Sequence, residues 1–167
     1  REPALRAWTT FGAVHVVDPR RWGDDSDATR TERLTHELCH AALLHRFPDE
    51  QAARAARLPR FFTEGACSVI AGQHRLPLSE VLARAGGALP LTIDAFARDP
   101  DMAYGAAHAL AAALVEQHGP LVFASVMSTA ARDGGAGCVE RALLALTGQA
   151  DVAALWRVVV DSSAAPT

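Results

Sequence analysis

From residue 29 onward, prolines and glycines cut this chain into short alanine-rich stretches, and that punctuation restricts it to a bundle of helices. Thr29 or Thr31 can cap a first helix reaching about Phe47, where Pro48 stops it. Its Leu34, Leu38, Ala41, Ala42 and Leu43 are expected to bury it and fix its orientation. Asp49 starts a short helix to about Arg57, and Pro59 suits the first turn of another that runs to about Gly72. Ser79 caps a helix ending at Gly86 and Gly87, Thr92 to Ala97 makes a turn or two, and Asp101 opens a longer helix ending at His118 and Gly119. Pro120, Cys138 and Asp151 begin the last three, with Val152, Leu155, Trp156 and Val159 as the inner face of the final one. Ahead of all this, Thr9 to Val17 is the one strand region, ended by Asp18 and Pro19, and Arg20 to Asp27 reads as a polar loop. The fold class is therefore mainly α (α+β), a small N-terminal β remnant followed by a helical bundle.

Composition excludes several partners. Half of the 167 residues are apolar, enough for one sizeable core. The formal net charge is -3 and no long basic run occurs, so no nucleic-acid partner is expected. Arg54, Arg57 and Arg60 cluster, and they read as a solvated helix face. No apolar run approaches the roughly 18 residues of a membrane span; the longest, Ala109 to Val115, is closed off by His108 and Glu116. The chain opens at Arg1 with no signal segment, which reads as an excised or processed domain of unknown compartment. Three cysteines make no disulfide framework. Cys39, Cys67 and Cys138 are expected as small buried thiols, with a single Cys39–Cys67 or Cys67–Cys138 bridge as the alternative.

The chemistry is carried by Thr35-His36-Glu37-Leu38-Cys39-His40, which contains His-Glu-x-x-His. On a helix, residues four apart share a face, so His36 and His40 can reach one ion. Glu37 is turned by about 100° from His36, which leaves its carboxylate beside the metal, where it can hold a water and take its proton. The same geometry turns Cys39 away from the histidine face. A catalytic zinc needs a third protein ligand and an open fourth position. Glu64 is the candidate: it lies in the apolar stretch Phe61-Phe62-Thr63-Glu64-Gly65-Ala66, where an unpaired carboxylate is costly to bury. Gly65 and Ala66 are small enough to let two helices approach closely. Glu80, His45 and His74 are worse placed, as a capping-turn glutamate, a residue more than a turn beyond His40, and a surface residue near a helix end.

The two stretches THELCHAAL and PRFFTEGACSVIAG resemble the gluzincin metallopeptidases, in particular the compact bacterial peptidase domains of the MA-like superfamily. The likeness is strong at these two helices and continues weakly, through Tyr104 to Leu110 and Leu155 to Arg157, over roughly Val14 to Val160. It implies a zincin-like catalytic domain over 1–167, with strand and loop in 1–28, metal-binding helices in 29–73 and a helical remainder in 74–167. It implies His36, His40 and Glu64 as Zn2+ ligands and Glu37 as general base. For the oxyanion it points to Tyr104, the only tyrosine, with His108 one turn later as runner-up. Where many gluzincins have an acidic residue that orients a ligand histidine, this chain has Ser68. The strand at Ala13 to Val17 is expected to offer a sheet edge to an extended peptide or protein substrate.

The expected function is zinc-dependent hydrolysis of peptide bonds. The alternative is a binding or regulatory domain that retains zinc without turnover, and a third reading is a helical structural domain with a coincidental motif. A purely structural zinc has no need of Glu37 and would want a fourth protein ligand that the sequence does not offer.

Overall fold

The computed structural model describes residues 7–10, 13–16, 25–73 and 75–164. The chain is mainly helical with a small two-stranded sheet. Strands β1 (Ala7–Thr10) and β2 (Ala13–Val16) pair antiparallel, Thr9 opposite Val14. The single strand expected over Thr9 to Val17 is thus a hairpin that starts two residues earlier, because both halves of this Thr- and Val-rich run take up strand geometry. Asp18, Pro19, the loop residues 20–24 and His74 lie outside the described residues.

The helices follow the proline and glycine punctuation. Helix α1 (Asp27–Leu44) is capped not by Thr29 or Thr31 but by Ser26, whose hydroxyl accepts from the Thr29 N–H at 3.1 Å, and it ends before Phe47. Helix α2 (Glu50–Ala56) is capped by Asp49, as expected, and α3 (Arg60–Ile70) follows Pro59. Ser79 lies inside α4 (Leu78–Ala85) rather than at its cap. Thr92 caps α5 (Ile93–Arg98) and Asp99, not Asp101, caps α6 (Pro100–His118). Then come α7 (Val122–Asp133), α8 (Cys138–Thr147) and α9 (Val152–Ala164), the last capped by Asp151. Leu155, Trp156 and Val159 are buried on α9 and Val152 packs against the same core, so its inner face is as expected.

Helix α6 is the centre. It buries Ala103, Gly105, Ala106, Ala107, Leu110, Ala111 and Leu114, which lie on more than one side of its axis, as a helix covered by several neighbours must. Helices α3, α4, α5, α7 and α9 all pack on it. Helices α3 and α6 approach closely at Gly65, where a Cβ would lie 2.3 Å from the Ala107 carbonyl oxygen and 3.1 Å from the Ala111 methyl. Helix α1 packs on α3 and carries the hairpin. The buried face of α1 is His36, Cys39 and Leu43; Leu38, expected inside, is 59 % exposed and Ala42 is exposed too. Leu38 follows Glu37 on the flank that α3 does not cover. Cys39, Cys67 and Cys138 are free buried thiols. Among the described residues no single helix is long and apolar enough to cross a membrane.

Candidate metal centre

Packing α1 against α3 turns the exposed and buried positions of each into a shared site. On α1, the two imidazoles one turn apart meet edge to face, with centroids 4.7 Å apart, so that their Nε2 atoms come within 3.1 Å. From α3, Glu64 brings Oε2 to 3.2 Å from His36 Nε2 and 3.5 Å from His40 Nε2. Three donor atoms thus stand at the corners of a triangle with sides of 3.1–3.5 Å. Four ligands placed tetrahedrally about 2.0–2.1 Å from a zinc ion are about 3.3–3.4 Å from one another. The triad has the spacing of a ligand set, and two imidazoles with one carboxylate is a donor chemistry that suits zinc. His36 is buried, while Glu64 and His40 keep one side toward a cavity of about 480 Å³.

Glu37 lines that cavity but is not one of the triad. Its carboxylate is held from the hairpin: Thr9 Oγ1 sits 2.8 Å from both Glu37 Oε2 and the Glu37 carbonyl oxygen, and its single proton goes to one of them at a time. Thr9 is a site residue that the sequence did not disclose, since only the return of the hairpin onto α1 brings positions 28 apart together.

Tyr104 is also on the cavity wall, its hydroxyl accepting from Arg60 Nη2 at 2.8 Å. His108 is not on it. Its Nδ1 lies 2.9 Å from the buried Ser68 hydroxyl, which also accepts from Arg75 Nε at 3.1 Å. Ser68 therefore does bond an imidazole, but that of His108 and not of His36 or His40. Among the described residues His36 Nδ1 is buried without a hydrogen-bond partner, and none of them supplies the acceptor that commonly fixes a ligand histidine from behind. Arg54 and Arg57 are exposed on and just after α2, as a solvated face would be, whereas Arg60 begins α3 and turns into the cavity.

The ionisation of the triad follows from its geometry. Burial alone would raise the Glu64 carboxyl, but hydrogen bonds to His36 and His40 and their charge bring it down to about 2. Burial works against a charged His40, but the hydrogen bond and charge of Glu64, with Glu37 behind, lift it above its ordinary 6.5. The two shifts are one attraction seen from its two ends. In the metal-free protein the Glu64 part of this stability is complete above about pH 4.5 and lost as pH falls toward 2. The His40 part is complete below 6.5 and lost as pH rises through its elevated value. A metal must displace the His40 proton, so zinc affinity is expected to climb by up to about tenfold per pH unit until His40 is neutral. Chelator competition between about pH 5.5 and 8 measures this; a flat profile would mean that His40 is not a ligand.

Compared with protein-family models, with curated proteins and with solved structures, the chain matches none.

Proposed function

We propose that this chain is a zinc-dependent metallopeptidase of the gluzincin type, with a zincin-like pair of metal helices, that hydrolyses peptide bonds in a peptide or protein substrate. The observation that carries this reading is the triad of His36, His40 and Glu64 at tetrahedral ligand spacing, with Glu37 outside it on the same cavity. His36, His40 and Glu64 would hold the ion. When bound, zinc supplies Lewis acidity and lowers the pKa of a water toward neutrality.

Glu37, steadied by Thr9, takes the proton of the attacking water and returns it to the leaving amine. The Tyr104 hydroxyl accepts from Arg60, so its own proton is available to an oxyanion in the cavity, which supports Tyr104 over His108 in that role. Strand β1 flanks the cavity through Thr9, whereas none of Ala13–Val16, the edge expected to take an extended substrate, lines it, so an extended substrate would lie along β1. A zinc-retaining binding domain is the alternative, and the open cavity with a steadied carboxylate in it weighs against that alternative.

The test is metal content and peptide hydrolysis together. The purified protein is expected to carry one zinc and to lose hydrolysis on chelation and regain it with zinc. His40→Ala is expected to lose both metal and activity. Normal zinc content in that variant removes the site.

A further inference from the structure

Among the described residues, Arg60 is the one arginine or lysine on the wall of the metal cavity, and the hydrolytic chemistry above gives it no contact with substrate. Its guanidinium is ordered by its surroundings. Cζ stands 4.9 Å from the centre of the Phe96 ring and 5.6 Å from that of Tyr104, two rings that meet edge to face, and Nη2 donates to the Tyr104 hydroxyl. Contacts with ring faces hold a cation in place without using its N–H donors. Of the five donors of a guanidinium, one is spent on Tyr104. The neighbouring carboxylate, Glu64, offers only Oε1 at 3.7 Å, while its Oε2 belongs to the triad. The Arg60 side chain lines the cavity and is 51 % exposed.

The charge balance points the same way. The wall carries two carboxylates, Glu37 and Glu64, and a divalent ion would cancel both. Arg60 then remains as an uncompensated positive charge. A pre-ordered guanidinium with spare parallel donors matches a planar carboxylate better than any other peptide group.

We propose that Arg60 anchors the substrate by a carboxylate, either a free C-terminus or an acidic side chain close to the bond that is cut. That the carboxylate belongs to a peptide rests on the peptidase reading; the preference for a carboxylate at Arg60 does not.

The experiment is calorimetric titration of the zinc-loaded Glu37→Gln protein with two matched peptide pairs. One pair has a free or an amidated C-terminus, and the other has Asp or Asn within an amidated peptide. The carboxylate member of at least one pair is expected to bind about tenfold tighter or more, and the pair that shows it identifies the source. Arg60→Gln is expected to bring that ratio close to one, and Arg60→Lys, which keeps the charge without the fork, to restore part of it. No preference in either pair overturns the proposal. So does a preference that survives Arg60→Gln, which would place the carboxylate on the metal. Peptide hydrolysis by the zinc-loaded wild-type protein, measured beside these titrations, separates the two readings. A carboxylate preference in a protein that hydrolyses nothing keeps the anchor and removes the peptidase. Hydrolysis without any preference does the reverse.

Discussion

Glu37→Gln is expected to keep one zinc per chain and to lower peptide turnover by roughly 10²–10⁴-fold, the usual worth of a positioned general base. The two halves of this result have separate causes. Metal retention follows because the triad consists of His36, His40 and Glu64 and does not include residue 37. The loss of turnover follows because glutamine matches the size of glutamate and can still meet Thr9 Oγ1 but cannot accept a proton. Zinc analysis and steady-state kinetics on one preparation check both halves. A turnover number within about twofold of wild type would take the base role from Glu37; loss of zinc would bring its carboxylate into the ligand set.

The second large effect is structural. Gly65→Ala is expected to cost about 1–3 kcal/mol of stability, and to lower the thermal midpoint by roughly 3–10 °C. Helix propensity alone predicts the opposite, a gain of about 1 kcal/mol on replacing an interior glycine. The contact geometry decides between them. The added methyl would stand 2.3 Å from a backbone oxygen and 2.9 Å from its carbonyl carbon on α6, and a backbone cannot swing aside as a side-chain tip can. Helix α3 must shift away from α6, and Glu64, the preceding residue, shifts with it. Weaker zinc binding is therefore expected together with the lower midpoint, and a midpoint raised by the substitution would refute the close approach at Gly65.

The sequence disclosed the part of the site that lies within single helices. His36 and His40 meet because they are one turn apart, and Glu64 stands out because a carboxylate in an apolar helix needs a partner. It did not disclose what depends on how separate elements dock. Leu38 follows the helical period of α1 yet faces out, since α3 covers the flank bearing Cys39 and Leu43. Thr9 reaches Glu37 only through the return of the hairpin, and Ser68 meets His108 only because α3 lies against α6. Arg60 resembles Arg54 and Arg57 by spacing, but a new helix begins at Arg60 and re-aims its side chain. Helix boundaries were legible only approximately where a glycine or proline marked them, α1 stopping at Leu44 short of Pro48, and the caps were missed at Ser26, Pro77 and Asp99, where nearby residues competed for the role.

The triad of His36, His40 and Glu64 is drawn from two segments, both imidazoles from α1 and the carboxylate from α3, with all of α2 strung between them. An ion seated there would act as a removable staple across that span. Binding only the folded form, at a free concentration a hundred times its dissociation constant, it would add about 2.7 kcal/mol. The lifetime of the chain against proteases would then rise and fall with the zinc supply of its surroundings, so that scarcity would remove the protein as well as silence it.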